Sequence, residues 1–448
     1  MSNDFIKTTS QQILDSNPIN RELYVEFDVK RGLRNADGSG VLAGLTKISG
    51  VVGSKKIDGK LTPVDGALLY RGINIREIVE GIQKEGRHGF AEVAYLLLFG
   101  KLPAASELEA LESYLYSRME LPKDFVDTGI LKFTSKSVMN SLQKVVLGLY
   151  ALDNNADDVS VSNLVRQSLE LVAKFPAIIA YSFIAMHHQY EGGSLYIHQP
   201  KDGYDIAQNF LHMLRQDSQF TPLEAELLDL SLVLHAEHGG GNNSSFTTHV
   251  VSSSQTDTYA AIGAAIGALK GPLHGAANSN VMYMMDNIKE NVKDWADRDE
   301  VAAYIEKIVR KEAHDKTGLV YGMGHAVYTK SDPRAIVLKG KARELAEVKS
   351  RLDEFNLYLL LEELTPSIFQ SVKKSDKVIA PNVDFFSGFV YDMLGFSTPI
   401  YTPLFAMARI VGWAAHRIDE LINGGRIIRP GYKSVADSQH YTPIAERV

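Results

Sequence analysis

The sequence of 448 residues contains no cysteine. Without thiols the chain cannot form a disulfide, bind zinc or an iron–sulfur cluster through sulfur, or use a cysteine nucleophile. This absence fits a reducing compartment, and we expect a cytoplasmic protein. The sequence also lacks the apolar core of a signal peptide near its start. The longest nearly apolar run, about 259–269, carries glycines and is too short to cross a bilayer, so we expect no membrane segment.

The sequence has no excess of positive charge either. It contains 47 Lys and Arg and 54 Asp and Glu, which gives a net charge of −7 at pH 7. Surfaces that bind nucleic acid or anionic membranes are basic, so we expect neither as a partner. An anionic small ligand would need a local cluster of arginines. The glycines form neither a GxxxxGK[ST] phosphate loop nor a dinucleotide-binding fingerprint, and no repeat of solenoid length occurs.

What the sequence does contain, 45% hydrophobic and 23% charged residues, is typical of a globular protein large enough for two or three domains. Apolar residues recur at helical spacing from Ile73 onward, whereas the glycine-rich stretch 31–72 indicates a few short strands. We therefore predict an all-α fold with a minor N-terminal β element. The predicted helices lie at about 4–14, 90–98, 104–118, 137–152, 159–190 with a break near Pro176, 204–215, 222–238, 296–313, 335–350, 353–369, 383–395 and 403–423.

Two histidines stand in glycine-rich surroundings. His238 is followed by three glycines and two asparagines, and His274 lies within Gly-Pro-Leu-His-Gly. Glycine beside a histidine removes side-chain cover and lets a ligand approach the backbone. If a helix begins near Ala276, its dipole disfavours a charged imidazole at His274. A neutral His274 could stabilise an enolate by a hydrogen bond, although a buried or capping histidine is the commoner explanation for a single residue.

A third histidine, His325, follows Gly322 and Gly324 in the sequence GMGH, and Arg334 comes nine residues later, after Asp-Pro. The glycines on their own are typical of a turn. Asp-Pro-Arg on its own is typical of a helix start with an exposed arginine. Neither pattern identifies a functional site when it is taken separately.

Asp384 lies in the first turn of a predicted helix, beside Phe385 and Phe386. A helix N-terminus lowers the pKa of a carboxyl group and burial raises it, and the sequence leaves open which effect dominates. Arg409 lies among apolar residues, where an unpaired charge is costly. Its partner is a carboxylate either of the protein or of a ligand, and Arg429 lies twenty residues further along.

Taken together, these residues match one type of chemistry. A carboxylate removes a proton from a C–H group beside a carbonyl, and a neutral histidine stabilises the enolate that forms. A second histidine activates an acceptor carbonyl, and arginines bind a substrate with several carboxylates.

Five ordered motifs resemble those of the citrate synthase family: HAEHGGGNNSSFTTHV, GPLHGAAN, GMGHAVYTKSDPRA, PNVDFFSG, and ARIVGW with a later RP. The early segments LLYRGINIREI and FAEVAYLLLFGKLP are similar to the family as well, so the likeness covers about residues 30–430. The resemblance implies an all-α homodimer. Each subunit would have a large domain, residues 1–278 and 387–448, and a small domain, residues 279–386, that closes over the ligands.

The resemblance also implies a role for each matching residue. His274 corresponds to the histidine that stabilises the enol of acetyl-CoA, Asp384 to the base that removes the methyl proton, and His325 to the residue that polarises the ketone of oxaloacetate. Oxaloacetate would be bound by His238, Arg334, Arg409 and the partner subunit's Arg429. The implied reaction, a step of the tricarboxylic acid cycle, condenses acetyl-CoA with oxaloacetate and hydrolyses citryl-CoA. It uses acetyl-CoA as a co-substrate, with no metal and no tightly bound cofactor.

The CoA phosphates are matched less closely. Family members often carry a basic residue just after the His325 motif, where this sequence has Thr329 followed by Lys330. We assign Lys330 to the phosphates, and Arg34 is a second, weaker match to a phosphate-binding arginine.

The backbone of Gly322 and Gly324 is assigned to CoA binding as well. Met323 stands where an aromatic or small residue is common in the family. We expect little effect from this departure, because the neighbouring backbone makes the contacts.

Three alternatives remain open. A 2-methylcitrate synthase would use propionyl-CoA, and one methylene in a pocket discriminates by only ~1–3 kcal/mol. A metal-dependent hydrolase could use His235, Glu237 and His238, but HAEH is one residue short of the zinc-protease spacing and no third ligand is apparent. A non-catalytic sensor of acyl-CoA or carboxylates would not need the complete set of two histidines and one aspartate.

Overall fold

The computed structural model describes residues 2–36, 38–58, 60–275, 277–375 and 378–447. Across these residues the chain folds into eighteen α-helices and one small three-stranded sheet. This architecture confirms the predicted all-α fold with a minor β element. The chain forms two compact units, Met1–Leu45 and Thr46–Val448.

The first unit contains two helices, α1 (Ser2–Ser16) and α2 (Arg21–Glu26), and a 3₁₀ turn at Arg31–Leu33. α1 includes the helix predicted at 4–14 and extends it by two residues at each end. The side chain of Asn20 caps α2 by accepting a hydrogen bond from the backbone N–H of Glu22.

The second unit begins with an antiparallel sheet in the order β1 (Ser49–Ile57), β2 (Lys60–Tyr70) and β3 (Ile73–Asn74). In its register Ser49 pairs with Tyr70 and Val52 with Ala67, and a bulge follows Val52. The two long strands lie in the glycine-rich stretch where short strands were predicted.

Sixteen helices follow the sheet in the described part of the second unit. Their bounds are α3 Ile75–Glu85, α4 Phe90–Phe99, α5 Ala105–Ser117, α6 Lys123–Phe125, α7 Val138–Leu149, α8 Val161–Glu191, α9 Ile206–Leu214, α10 Pro222–His235, α11 Asn243–Ser252, α12 Thr258–Lys270, α13 Ala277–Asn291, α14 Arg298–Val309, α15 Pro333–Val348, α16 Leu352–Lys373, α17 Val383–Met393 and α18 Tyr401–Asn423. A π-helical turn at Val126–Leu131 and 3₁₀ turns at Tyr150–Leu152, Thr398–Ile400 and Ile444–Glu446 complete the helical segments.

The predicted break near Pro176 is wrong, because α8 runs unbroken from Val161 to Glu191. An interior proline costs a helix ~3 kcal/mol, but Phe175, Pro176 and Ala177 are all buried in the core, and this packing stabilises the helix on both sides. By length and composition alone α8 could cross a membrane, a possibility that the sequence analysis overlooked. Of its most apolar window, 83% is buried inside the protein, as in a core helix.

The turn that carries His238 also differs from the prediction. The helix predicted at 222–238 ends at His235, and His238 lies in the turn between α10 and α11. Gly239 turns the chain there with a φ of 88°. α11 was not predicted, because its Asn- and Ser-rich start is typical of a loop.

α18 is the central helix of the core, and it packs against α4, α8, α10, α11 and α12. The small residues of α12 let this helix approach α7 closely. A Cβ atom at Gly263 would lie 2.9 Å from Leu147, and one at Gly267 would lie 2.7 Å from Gln143. The amide of Gln143 donates a hydrogen bond to the carbonyl of Gly263, which ties the two helices together.

The β hairpin approaches the loop that precedes α15 at two glycines. A Cβ atom at Gly53 would overlap the carbonyl oxygen of Val327, and one at Gly66 would overlap that of Ser331. The N–H of Gly66 donates to the Ser331 hydroxyl at 3.2 Å. The hairpin therefore supports the loop by direct backbone contact.

We expect Gly66→Ala to lower the free energy of unfolding by about 1–3 kcal/mol, because the added methyl group would have to displace backbone. The measurement is urea unfolding. Gly81→Ala is the matched control, since nothing lies within 4 Å of its Cβ position in α3. It should be neutral or stabilise by about 0.5–1 kcal/mol. Equal stability of Gly66→Ala and the wild type would show that hairpin and loop are not in contact.

Candidate active site

Six of the predicted site residues come from separate segments that face a common region. His238 follows α10, His274 precedes α13, His325 lies between α14 and α15, and the other three lie on α15, α17 and α18. The last three are Arg334, Asp384 and Arg409.

Burial and then nearby charges, that of Arg409 among them, lower the pKa of His238 and His274. At Asp384 burial raises the pKa, and the charge of Arg409 is one of those that oppose the rise. The charge of Arg409 therefore links these segments. The rings of His238 and His325 meet edge to face with centroids 5.0 Å apart. This ring contact and these charge interactions connect segments that are distant in the sequence.

Arg409 is fully buried in α18 and uses only one nitrogen to bind the protein. Its Nε donates to the carbonyl oxygen of His235 at 2.8 Å. Nη1 and Nη2 are buried and contact no hydrogen-bond acceptor in the described part of the chain. Burial lowers the pKa of Arg409 to about 10, so the group stays charged at neutral pH. A buried guanidinium with two free nitrogens fits a ligand carboxylate better than the internal ion pair considered above.

Arg334 is also buried, at 3% exposure, and not exposed as a simple helix start would leave it. Its Nε and Nη2 donate to the two oxygens of Asp332 at 3.1 and 2.7 Å. Oδ2 of Asp332 also accepts the N–H of Val383 at 3.2 Å. This ion pair fixes the start of α15 against the start of α17, and it places Arg334 where its charge acts on Asp384.

His274 is neutral at physiological pH, as predicted, but the cause is different. Burial, followed by the charge of Arg409, lowers its pKa to about 4. Its Nε2 lies 3.1 Å from the hydroxyl of Ser244, which accepts a hydrogen bond from the indole N–H of Trp413 at 3.0 Å. The helix that follows begins at Ala277, and Ala276 lies outside the described residues.

The tautomer of His325 is fixed by the backbone. Its Nδ1 accepts the N–H groups of Val327 and Tyr328 at 3.0 and 3.1 Å. Burial, followed by the charge of Arg334, lowers the pKa of His325 to about 4. A neutral ring whose Nδ1 is an acceptor carries its proton on Nε2, so His325 presents one N–H donor. Tyr328 stacks on the ring at 4.7 Å.

Gly322 and Gly324 connect the His325 loop to the start of α17. Their φ angles are 79° and 94°, and a Cβ atom at Gly322 would lie 2.8 Å from Phe385. The N–H of Gly324 donates to the carbonyl of Ala380 at 2.7 Å, and that of Asn382 to the carbonyl of Gly322 at 2.9 Å. These glycines have a structural role here, and their assignment to CoA stays a prediction.

Asp384 lies in the first turn of α17, where Asn382 accepts its N–H at 3.0 Å. Burial raises the pKa of Asp384 to about 6, and the charge of Arg334 opposes the rise in part. Phe385 and Phe386, which follow it, are fully buried. Burial is therefore the dominant effect on this carboxyl group.

Three further predicted residues are exposed to solvent. Arg34 lies in the first unit, is exposed, and donates to the carbonyl of Gly38 at 3.2 Å. Lys330 is exposed five residues after His325, and Arg429 is exposed in the segment after α18. Their roles stay predictions.

Four residues that position the site were not predicted from the sequence, namely Ser244, Tyr328, Asp332 and Trp413. Asp332 could have been found from the Asp-Pro-Arg motif, since a buried arginine requires a carboxylate partner. The other three give no signal in the sequence, because their partners are distant in the chain or are backbone groups.

A metal site is not formed by the HAEH segment. His235 is buried at the end of α10, where its Nδ1 contacts the carbonyl of Ser231 at 2.7 Å. Within the described ranges, no group of three or more His, Asp or Glu side chains is placed to hold a metal ion.

Comparison with known proteins agrees with this architecture. The family model described as "Citrate synthase, C-terminal domain" matches residues 36–431. The citrate synthase of Deinococcus radiodurans is 37% identical, over 89% of this chain and 98% of its own length. 2-Methylcitrate synthase 1 of Corynebacterium glutamicum is 31% identical, over 89% and 97%.

A solved structure is similar along almost the whole chain. It is the citrate synthase of the thermophilic archaeon Thermoplasma acidophilum in ternary complex with carboxymethyl coenzyme A and oxaloacetate, with a TM-score of 0.76 and 27% identity over 94% of this chain and 99% of that one. Fold and comparisons together identify an all-α enzyme. The chain belongs to the citrate synthase family.

The raised pKa of Asp384 predicts the pH dependence of the enzyme. A base must be deprotonated to act, so kcat/KM should fall about tenfold for each pH unit below about pH 6. His274 and His325, whose pKa values are about 4, remain neutral through this range. The measurement is a pH–rate profile between pH 4.5 and 8.5. A profile that stays flat down to pH 4.5 would exclude Asp384 as the base.

Proposed function

We propose that this enzyme condenses acetyl-CoA with oxaloacetate and hydrolyses the citryl-CoA intermediate to citrate and CoA. Membership of the family supports the reaction class. The observation that carries the proposal is the combination of two neutral histidines, a carboxyl group of raised pKa and a buried arginine with two unused nitrogens. We place the enzyme in the cytoplasm and in the tricarboxylic acid cycle.

The first step breaks a C–H bond of the acetyl methyl group. Asp384 takes the proton, and the electron pair moves onto the thioester oxygen as an enolate. With a pKa of about 6, Asp384 is ionised at pH 7 and remains a stronger base than an exposed carboxylate.

His274 stabilises the enolate oxygen as a neutral hydrogen-bond donor. Because the Ser244 oxygen accepts from Trp413, its own hydrogen can be donated to Nε2 of His274. The proton of the ring then lies on Nδ1, which is left to face the substrate. Because His274 is already neutral before the reaction, it can donate this hydrogen bond without a change in its protonation state.

The second step forms the C–C bond between the enol carbon and the ketone carbon of oxaloacetate. The Nε2–H of His325 stabilises the oxygen that becomes negative. This oxygen takes up one proton to become the hydroxyl group of citryl-CoA, which balances the proton that Asp384 removed from the methyl group. Arg409, Arg334 and His238 bind the carboxylates. Water then adds to the thioester carbonyl, the C–S bond breaks, and the CoA sulfur leaves with a proton. No tightly bound cofactor or metal takes part, and acetyl-CoA is a co-substrate.

We propose the domain division at residues 1–278 and 387–448 against 279–386. Helices α13 to α17 pack extensively on one another, which supports a separate small domain. The division assigns His325, Arg334 and Asp384 to the small domain, and His238, His274 and Arg409 to the large one. The site would then lie in a cleft between them, and closure of the cleft would exclude water during condensation.

We propose that Lys330, which is exposed just after the His325 loop, contacts the CoA phosphates. Arg34 remains the second, weaker candidate for a phosphate contact. The backbone at Gly322 and Gly324 would contact the rest of the CoA molecule. Both lysine and arginine bind phosphate groups as charged donors.

We also propose a homodimer in which Arg429 completes the site of the partner. The segment after α18 is irregular up to the turn at Ile444 and exposes large side chains. Ile427 is 64% exposed, Tyr432 97% and Tyr441 83%. A second copy of the chain would cover these apolar groups and receive Arg429.

A thiol-release assay with oxaloacetate tests the function. Acetyl-CoA should give the higher kcat/KM, and a higher value with propionyl-CoA would favour the 2-methylcitrate reaction. Asp384→Asn, which removes the base but keeps the shape, should lower kcat by at least about 1,000-fold. Its affinity for oxaloacetate, measured by calorimetry, should stay within about threefold. Near-normal turnover of this variant would show that another group is the base.

Co-expression of Arg429→Ala with Asp384→Asn tests whether each subunit supplies its Arg429 to the site of the partner subunit. Each variant alone should be nearly inactive. A mixed dimer would keep one intact site, made by Asp384 of one subunit and Arg429 of the partner subunit. Random assembly should restore about a quarter of the wild-type specific activity. Activity no higher than that of the separate variants would show that Arg429 does not act across the interface.

A further inference from the structure

Four titratable side chains behind Arg409 form a hydrogen-bonded chain that the proposed reaction does not use. Nε2 of His416 lies 2.9 Å from Oε1 of Glu237, and Nδ1 of His416 lies 3.1 Å from Nε2 of His249. Nδ1 of His249 lies 2.8 Å from Oε2 of Glu420. Glu237 precedes His238 in the turn after α10, His249 lies in α11, and the other two lie one turn apart in α18.

The hydrogen-bonded chain of these four side chains runs from the protein surface into the interior. The side chains of Glu420 and His249 are 13% and 15% exposed, whereas those of His416 and Glu237 are fully buried. Gly240 packs on both rings, since a Cβ atom there would lie 3.2 Å from His416 and 3.3 Å from His249.

The contact between His416 and Glu237 has a defined direction. Glu237 is ionised at neutral pH, since its pKa is about 2, and an ionised carboxylate can only accept a hydrogen bond. Nε2 of His416 is therefore the donor to Oε1 of Glu237.

The charge of Arg409 helps to lower the pKa of Glu237, but the terminal nitrogens of Arg409 form no hydrogen bond with this carboxylate within the described residues. Burial favours the neutral acid, yet the charge and hydrogen bond of His416, together with Arg409 and Ser49, hold the pKa of Glu237 at about 2. Its Oε1 accepts from His416, from Ser49 at 2.9 Å and from the N–H of Gly239. Its Oε2 has no hydrogen-bond partner among the described residues.

The three donors therefore fix Oε1 of Glu237, and within the described residues this carboxylate forms no hydrogen bond with the terminal nitrogens of Arg409. Gly412 provides the room for the other oxygen, because a Cβ atom at this position of α18 would overlap Oε2 of Glu237. Direct pairing of Glu237 with Arg409 would occupy the nitrogens that a substrate carboxylate needs.

We propose that His416, supported by His249 and Glu420, is a positioning residue that keeps Glu237 as a remote counter-ion of Arg409 and so leaves both terminal nitrogens of Arg409 available to oxaloacetate. The proposal rests on the proposed function for the identity of the ligand. Without the donor at His416, the Glu237 carboxylate would turn toward Arg409 and compete with the substrate.

Two substitutions at His416 and one at His249 test this role. His416→Leu removes the donor, and we expect KM for oxaloacetate to rise at least about tenfold with kcat changed less than about threefold. His416→Gln keeps a neutral donor to Glu237 and should restore most of the affinity. His249→Gln should give a smaller rise in KM, because it breaks the chain one residue further out.

The matched control is His187→Leu. On α8 the Nδ1 atom of His187 lies 2.7 Å from Glu191, and this histidine–glutamate contact is not part of the hydrogen-bonded chain. Its kinetics should equal those of the wild type. Oxaloacetate Kd is measured in parallel by calorimetry, and thermal unfolding checks folding. If the His416 variants do not fold, His249→Gln decides. Failure of the wild type to release CoA would contradict the proposed function, and the Kd values would still test the positioning role.

Unchanged KM and Kd for oxaloacetate in the folded variants would overturn the proposal. So would a loss of kcat at constant KM, because that pattern assigns the chain to the chemical step. A rise in KM for oxaloacetate with an unchanged KM for acetyl-CoA supports it.

Discussion

The structure depends on one costly arrangement, a charged guanidinium buried in the central helix without a carboxylate in contact. Arg409 is fully buried, and its two terminal nitrogens meet no acceptor in the described part of the chain. Burying such a group costs several kcal/mol unless it is compensated. The compensation here comes from Glu237 at a distance and, in the proposed reaction, from the substrate itself.

The same positive charge sets the protonation of the neighbouring groups. It adds to burial in keeping His274 neutral, and it opposes burial at Asp384. Arg334 has the equivalent effect on His325. The site therefore combines neutral histidines with a carboxyl group of raised pKa, which is the combination required for enolisation at neutral pH. The rigid supports are backbone groups and helix starts, such as the Asp332 contact between α15 and α17.

Helical periodicity was enough to predict the fold class, whereas the motif order singled out six central residues whose functional roles stay predictions. The break at Pro176 was wrong, since tertiary packing on α8 outweighs the local effect of proline. α11 was missed because its polar start is typical of a loop. The tautomer of His325, the pKa of Asp384 and the contact of Glu237 with His416 could not be predicted. Each depends on groups that meet only in the fold, the last pair across 179 residues.

The most direct test of the central claim is the replacement of Arg409 by methionine, which has similar volume and no charge. The affinity for oxaloacetate and the free energy of unfolding are then measured on the same variant. We expect the affinity to fall at least about 30-fold, since a buried charge pair is worth about 2–5 kcal/mol. The free energy of unfolding should change by less than about 2 kcal/mol, because the cost of burying the guanidinium is gone but Glu237 loses its remote counter-ion. An affinity within threefold of wild type would contradict the account.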